Sequence, residues 1–184
     1  VLGPDETSWR VSPVWPSPDA TPHTWALADA PASQDCAGGA LLSELDPPPS
    51  ETQFVYNPDD PNPTLGGASL LSFAFFPSLD VTPGPVEQGL SCERPDVLTF
   101  KSAPLLAPTR LSGAAKLTLT VRSTAPDTAF VARLIVESED GQAHLIREAA
   151  ATLAFPDEAT QAPIPRVPGE EVALELNFWP MEWT

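Results

Sequence analysis

Twenty-four prolines divide this 184-residue chain into short apolar runs. Proline at a frequency well above the average of about 5% indicates disorder when it lies in polar, low-complexity sequence. Here the prolines instead alternate with apolar segments, and clusters of Gly, Asp and Ser beside them supply turns. A hydrophobic content of 42% is enough to form a sizeable core at this length. We therefore expect one folded domain built from short elements.

The second half of the chain carries the clearest strand patterns. Residues 116–122 alternate with period two, which places their apolar side chains on one face and their polar side chains on the other. Residues 130–137 carry apolar side chains on both faces and predict a strand buried on both sides. Residues 139–141, Glu-Asp-Gly, have the chemistry of a hairpin turn. Residues 172–178 alternate again and predict a strand with one solvated face.

Three shorter strands are predicted at residues 24–28, 39–43 and 52–56. Residues 143–155 are ambiguous, because Arg147 to Ala151 have helix propensity while the neighbouring strands favour another strand, which we prefer. No internal repeat is present, and no helix longer than this doubtful one can be defended. Periodicity alone therefore predicts an all-β fold, a β-sandwich.

Charge and hydropathy exclude several classes of partner. Nine basic and 25 acidic residues give a net charge of −16, so nucleic acid and anionic membrane surfaces would be repelled. No segment approaches the roughly 20 apolar residues that span a bilayer. Cys36 and Cys92 can pair or remain reduced, and free thiols are the favoured state. The cysteines do not fix the compartment, so both cytoplasmic and exported locations stay open.

The sequence offers no convincing catalytic centre. Two segments, 67–71 and 89–93, resemble the Gly-x-Ser-x-Gly elbow of α/β-hydrolases, but both lack the second glycine. His23 and His144 are the only histidines, and neither can be associated with a nucleophile, so we interpret both as surface or half-buried residues. We assign no catalytic residue.

Metal ligands are equally sparse. The two cysteines and two histidines have no short zinc-ligand spacing. Asp59 with Asp60, and residues 137–140, offer oxygen ligands for calcium but do not follow its known loop pattern. Solvated turn carboxylates are the preferred interpretation, and we predict no metal and no cofactor.

Residues 55–67, Val-Tyr-Asn-Pro-Asp-Asp-Pro-Asn-Pro-Thr-Leu-Gly-Gly, resemble a signature of one enzyme family, Tyr-Asp-Pro-x-Asp-Pro-x-Pro-Thr-x-Gly-Gly. The family is that of the X-prolyl dipeptidyl aminopeptidases and cocaine esterases, which are serine acyl hydrolases. Residues 94–105 and 125–134 resemble later family elements, in the same order. Residues 3–16 resemble the family's Gly-x-x-x-Trp-Arg and Trp-Pro elements. The motif positions are Tyr56, Pro58, Asp59, Pro61, Pro63, Gly66, Gly67, Asp96 and Asp127.

The resemblance implies a non-catalytic C-terminal domain, a jelly-roll β-sandwich of the galactose-binding-like kind. Residues 1–22 would be a linker leaving an upstream α/β-hydrolase domain, which carries the Ser, Asp and His triad. Residues 23–184 would form the jelly roll. The fragment itself would be inactive. Its parent would be an acyl esterase or an X-Pro dipeptidyl-peptidase, and the full-length enzyme could form a homo-oligomer.

The family also implies that this domain packs against the hydrolase domain and helps to wall the acyl pocket. Residues 65–76 are our candidate for the contact, although the same side chains could equally fill the core of this domain. Exposure in the isolated domain would favour the interface. The interface candidates are Leu65, Ser69, Leu70, Leu71, Phe73, Phe75 and Phe76.

The chain departs from the family pattern at several points. Asn57 replaces an aspartate, Ala129 and Val136 replace common acidic residues, and residues 149–155 lack an arginine-containing run. The family's closing Pro-Gly-His-Arg strand is also missing, through truncation or divergence. If it is truncated, one sheet lacks a strand.

The alternative function is a carbohydrate-binding module, because five tryptophans could stack on sugars. Trp9, Trp15 and Trp25 lie near the start of the chain. Packing roles are preferred for the tryptophans, because Trp9 and Trp15 match linker elements while Trp179 and Trp183 flank a strand. A self-sufficient esterase is rejected, because it needs a nucleophile and a base that the sequence does not supply.

Overall fold

The computed structural model describes residues 11–28, 38–43, 47–48, 50–68, 75 and 82–183. The described elements are β-strands and one short 3₁₀ helix, Gly89–Glu93, which confirms the expected all-β class. The strands are β1 (Ala26–Ala28), β2 (Gly39–Leu42), β3 (Phe100–Lys101), β4 (Leu111–Gly113), β5 (Lys116–Val121), β6 (Ala129–Glu137), β7 (Ala143–Thr152), β8 (Val172–Asn177) and β9 (Met181–Trp183).

The described strands form four small sheets. Strands β6 and β7 pair as an antiparallel hairpin, whereas the pairs β5–β8 and β4–β9 join strands that are distant in sequence. Strand β2 lies between β1, which is antiparallel to it, and β3, which is parallel. The pairs β4–β9, β5–β8 and β6–β7 contribute to one apolar cluster, which is consistent with the predicted β-sandwich.

The core lies between the apolar faces of β5, β7 and β8. The predicted alternation of β5 is confirmed, and in β8 the side chains of Leu174 and Leu176 are fully buried. Leu119 pairs directly with Leu174, and Leu117 with Leu176, so the two period-two patterns place their leucines on the same face. This shared apolar face contacts Ile146, Ala149 and Leu153 from the β7 region in a single cluster.

The ambiguous segment 143–155 forms a strand over residues 143–152, as preferred, and bends over its last three residues. Pairing with β6 overrides its helix propensity. The hairpin turn before it is also confirmed, because Gly141 has a φ of 82° and its N–H donates to the Ser138 carbonyl at 2.9 Å. A register shift opposite Leu134 and Ile135 leaves one extra residue in β7. This bulge allows the consecutive residues Leu145 and Ile146 both to be buried.

Two sequence-based predictions are wrong. Residues 52–56 form no β-ladder, and Val55 and Tyr56 are 80% and 48% exposed, so this segment has no apolar face to bury. Strand β6 is not buried on both sides, because Val131 and Ile135 are 56% and 40% exposed. Its apolar composition therefore leaves an open face in this domain.

The proposed linker has no regular structure over its described part, residues 11–22. It lies against the β4–β9 pair, where the Ser17 N–H donates to Oγ of Ser112 at 3.2 Å and Arg110 pairs with Asp19 at 3.5 Å. Trp15 remains 52% exposed. An extended segment lying on a surface was expected here, but its role as a boundary between domains stays a prediction.

Cys92 is disulfide-bonded, which differs from the favoured free thiol. Cys36, the only other cysteine of the chain, lies outside the described residues. No helix within the described ranges has the length and apolar character needed to cross a membrane.

Replacing Leu174 by alanine tests the core assignment. Leu174→Ala removes a fully buried side chain from the central cluster, so we expect the free energy of unfolding to fall by about 2–5 kcal/mol. Val131→Ala, on the exposed face of β6, is the matched control and should change it by less than about 1 kcal/mol. Urea denaturation followed by tryptophan fluorescence measures both, and equal losses would contradict the assignment.

Candidate functional site

The proline-rich loop, residues 55–68, begins with a tight turn. The N–H of Asp59 donates to Oδ1 of Asn57 at 3.1 Å, and the N–H of Asp60 donates to the Asn57 carbonyl at 3.1 Å. An asparagine amide oxygen accepts this hydrogen bond as a carboxylate would. The replacement of the family aspartate by Asn57 therefore preserves the turn.

Arg94 holds this turn to a segment 34 residues further along the chain. Its Nε and Nη2 donate to the two carboxylate oxygens of Asp96 at 2.8 and 3.0 Å, in a bidentate pair. Nη2 also donates to the carbonyl of Asp60 at 2.5 Å, and Nη1 lies 3.4 Å from the Asp60 carboxylate. One guanidinium thus connects two motifs that the sequence separates.

The electrostatics of this pair follow from its geometry. The Arg94 guanidinium lowers the pKa of the Asp96 carboxyl, mainly by donating hydrogen bonds, while burial acts in the opposite direction. The same hydrogen bonds raise the pKa of Arg94 above its ordinary value. The Asp96 side chain is only 5% exposed, so its charge depends on this partner. The pair has a structural role, because no nucleophile or substrate group is part of it.

The end of the loop requires glycine. Gly66 and Gly67 have φ values of 75° and 67°, a region that favours glycine. Gly67 exchanges two backbone hydrogen bonds with Gly84, at 2.9 and 3.0 Å. A Cβ on Gly66 would lie 2.6 Å from the Gly84 carbonyl oxygen, well inside contact distance. The Gly-Gly pair of the motif therefore permits two loop segments to approach closely.

Arg133 holds the loop to the β6–β7 hairpin, and Gln88 holds it to the segment before the 3₁₀ helix. Nη2 of Arg133 donates to the Pro63 carbonyl at 2.9 Å, while its Nε pairs with Glu148 at 3.0 Å. Gln88, 98% buried, donates through Nε2 to the carbonyls of Leu65 and Val86 at 3.2 and 2.9 Å. Sequence reasoning assigned no role to Gln88, because nothing distinguishes a buried loop glutamine from an exposed one.

The remaining motif residues have local roles or face solvent. Oδ1 of Asp127 accepts the N–H of Ala154 at 3.0 Å, which connects the turn before β6 to the end of β7. Pro58, Pro61 and Pro63 are exposed, as expected of residues that stiffen a surface loop. The motif therefore specifies the shape of a surface rather than a reaction.

The interface candidates are only partly described. Phe75 is 71% exposed and Leu65 is 37% exposed, so Phe75 does not lie in the core of this domain. This exposure excludes the core role that the sequence left open for Phe75. Ser69, Leu70, Leu71, Phe73 and Phe76 lie outside the described residues. The docking role of the segment stays a prediction.

The described residues assemble no catalytic or metal centre. The His23 ring packs edge-on against Trp25, with ring centroids 4.2 Å apart, and His144 pairs with Val136 in the β6–β7 ladder. The calcium candidates have other partners, since Asp60 contacts Arg94 and Glu137 pairs with Lys101. Across the described part of the chain, no group of three His, Cys, Asp or Glu side chains could hold a metal ion.

Alanine substitutions at two glycines test the close approach at the end of the loop. Gly66→Ala introduces both a strained φ and a clash with the Gly84 carbonyl, whereas Gly141→Ala introduces only the strained φ, with no atom within 4 Å. We expect Gly141→Ala to lower the free energy of unfolding by about 1–2 kcal/mol. Gly66→Ala should cost at least about 1 kcal/mol more. Chemical denaturation measures both, and equal effects would contradict a close-contact role for Gly66.

The Arg94–Asp96 pair predicts a pH-dependent stability. The lowered pKa of Asp96 means that its contribution is present above its unfolded value of about 3.9 and is lost as pH falls through the folded value. We expect the stability gap between wild type and Asp96→Asn to be constant above about pH 5 and to shrink below about pH 4. Urea denaturation across this range measures the gap.

The Arg94→Met background is the control for this measurement. It removes the cation that lowers the Asp96 pKa, so the pH dependence of the Asp96→Asn effect should weaken in it. A gap that shows the same pH dependence with and without Arg94 would contradict the assignment.

Comparison with known proteins agrees with the resemblance noted in the sequence. The family model of the X-Pro dipeptidyl-peptidase C-terminal non-catalytic domain matches residues 2–184. Cocaine esterase from Rhodococcus sp. (strain MB1 Bresler) is 35% identical over 144 residues, which is 78% of this chain. The chain spans about a quarter of that relative's length, 24%. This chain belongs to the family of X-Pro dipeptidyl-peptidase C-terminal non-catalytic domains.

Proposed function

We propose that this domain packs against an α/β-hydrolase domain of the same protein and helps to wall its acyl-binding pocket. The parent protein would be a serine hydrolase of the acyl esterase or X-Pro dipeptidyl-peptidase type. The relative is named an esterase, and the family description names an X-Pro dipeptidyl-peptidase, so both classes are candidates. The observation that carries the proposal is Phe75, an aromatic side chain left 71% exposed.

The proline-rich loop supports the proposal because it is held rigidly. Arg94, Arg133 and Gln88 fix three parts of it to the body of the domain. A preorganised loop loses little conformational entropy when it docks, which favours a stable contact. A rigid loop beside exposed apolar side chains such as Leu65 therefore suits a permanent contact with another domain.

A second surface is also available for such a contact. Val131 and Ile135 leave an apolar face on β6, next to the Arg133 that holds the loop. Solvent-exposed apolar side chains that group on one element mark interaction surfaces more often than isolated ones do. The proposed contact therefore includes both the loop and the outer face of β6.

The isolated domain should hydrolyse neither p-nitrophenyl esters nor X-Pro p-nitroanilides, because the described residues place no base beside a nucleophile. Release of p-nitrophenol and p-nitroaniline, measured by absorbance against a buffer blank, checks this expectation. Turnover that survives repurification and responds to a serine-directed inhibitor would place a catalytic centre within this chain.

Docking can be measured by adding this domain to the separately produced upstream region of its gene. Phe75→Asp should weaken the association at least tenfold, or about 1.4 kcal/mol, because it introduces a charge into an apolar contact. Val167→Asp is the matched control, since Val167 is 70% exposed on the loop before β8. Isothermal titration calorimetry provides the affinities, and equal effects of the two variants would argue against the proposed surface.

A further inference from the structure

Strand β7 has an unpaired edge in its second half. The Leu153 N–H donates to the Thr128 carbonyl at 3.2 Å, and Ala129 pairs with Thr152. The backbone N–H and C=O groups of successive residues point to opposite sides of an antiparallel strand. Since the N–H of Leu153 points toward β6, the backbone groups of Ala151 and Ala149 also point toward β6. Those of Glu148 and Ala150 point away from it, and no described residue accepts from or donates to them.

The ends of the same edge are occupied. Near its start, the Leu145 N–H donates to the Val86 carbonyl at 3.2 Å, and the Ala143 carbonyl accepts the Gln88 N–H at 2.8 Å. At its end, the Thr152 N–H donates to the Phe155 carbonyl at 3.4 Å. The open part of the edge is therefore confined to Glu148 and Ala150.

Strand β8 presents a second open edge. The Phe178 N–H donates to the Ala115 carbonyl at 2.9 Å, so its backbone points toward β5. Leu176 lies two residues earlier in the β5–β8 pair, and its backbone groups therefore also point toward β5. Those of Glu175 and Asn177 point the other way. The Glu175 N–H donates to the Pro156 carbonyl at 2.7 Å, whereas the backbone of Asn177 has no partner within the described ranges.

A groove of about 520 Å³ lies between these two edges. Five consecutive residues of β7, 148–152, line it on one side, and Glu175 and Asn177 line it on the other. Trp179 and Phe155 add exposed aromatic surface, at 80% and 42% exposure. Trp179 was expected to have a packing role, and its exposure contradicts that interpretation.

The groove carries negative charge. Its lining residues include four carboxylates and no cation. Two of the four have ion-pair partners, since Lys116 pairs with Glu175 at 3.0 Å and Arg133 pairs with Glu148 at 3.0 Å. The carboxylate of Glu158 has no ion-pair partner among the described residues. The carboxylates are Glu148, Asp157, Glu158 and Glu175. A ligand with positive charge is therefore electrostatically favoured here.

We propose that this groove binds an extended peptide strand that carries lysine or arginine side chains. The peptide backbone hydrogen-bonds to the open edges at Glu148, Ala150 and Asn177, by strand addition. Its basic side chains face the carboxylates, and one of them lies over the ring of Trp179, where a cation and an aromatic face attract each other. The inference is independent of the docking surface proposed above.

Two other occupants fit the groove less well. A sugar could stack on Trp179, but it has no repeating N–H and C=O pattern to satisfy two strand edges. A second copy of this chain would bring another net charge of −16 against the acidic groove. An extended basic peptide satisfies the backbone edges and the carboxylates together.

The probe is a fluorescein-labelled peptide, acetyl-Thr-Lys-Val-Arg-Val-Lys-Thr-amide, titrated with the domain and followed by fluorescence anisotropy. We expect saturable binding at about 50 mM NaCl that weakens at about 500 mM NaCl, where charge attraction is screened. The same peptide with N-methyl groups on alternate backbone amides should bind at least about tenfold more weakly, because it cannot complete a strand. A peptide with glutamate at the three basic positions should not bind.

Three protein variants localise the binding. Ala150→Pro removes an N–H from the open edge and leaves the ladder to β6 intact, so it should weaken binding about tenfold. Trp179→Ala removes an exposed ring and should weaken it about threefold to tenfold. Val167→Ala on the loop before β8, which does not line the groove, is the control and should bind as wild type does. Thermal unfolding shows which variants fold, and if Ala150→Pro does not, the N-methylated peptide tests the same hydrogen bonds.

Several results would overturn the proposal. Equal affinity for the N-methylated peptide would reduce the interaction to charge alone, and wild-type binding by a folded Ala150→Pro variant would exclude the β7 edge. Absence of peptide binding at about 50 mM NaCl would reject the site. Trp179-dependent binding of an oligosaccharide, without peptide binding, would assign the groove to sugars. Concentration-dependent self-association by sedimentation, again without peptide binding, would assign it to a second copy.

Discussion

The packing of one apolar face on β8 against β5 and β7 is the constraint on which the rest of the structure depends. Leu174 and Leu176 are fully buried and pair across the ladder with Leu119 and Leu117. Since β5 and β8 are about 50 residues apart in sequence, their pairing encloses the β6–β7 hairpin and its turns. That closure sets the positions of β5, β7 and β8 relative to one another.

The proline-rich loop depends on a second, polar set of contacts. Arg94 links the Asp60 turn to Asp96, and Arg133 links the Pro63 backbone to Glu148. Each guanidinium connects segments that are far apart in sequence, which a planar multidentate donor does better than a lysine would. The family signature thus describes a loop of fixed shape.

The sequence predicts those parts of the fold that depend on local periodicity. The alternation of β5 and β8 and the Asp-Gly turn are each visible within a few residues, and the structure confirms them. Strand β7 could be preferred over a helix only because of its neighbours. In contrast, the segment 52–56 shows that a short apolar alternation does not form a strand when no face is available to cover it.

The candidate site was less predictable, because its contacts join distant segments. The family resemblance identifies the motifs around Asp60 and Arg94. The hydrogen bond between them depends on the tertiary fold, which brings the two segments together. The burial of Gln88 and the exposure of Trp179 could not be predicted from the sequence around them, because the residue type alone does not determine burial. The open edges of β7 and β8 follow from a register that periodicity does not fix.

Those open edges also bear on how the domain behaves at high concentration. An open strand edge ordinarily favours edge-to-edge pairing between molecules, and the exposed side chains of Val131 and Ile135 add apolar contact surface. The net charge of −16 opposes this by keeping neighbouring molecules apart. The acidic composition therefore acts as a colloidal stabiliser, whose protection is lost near the isoelectric point of about 4.2, where the net charge passes through zero and open edges of two molecules can pair.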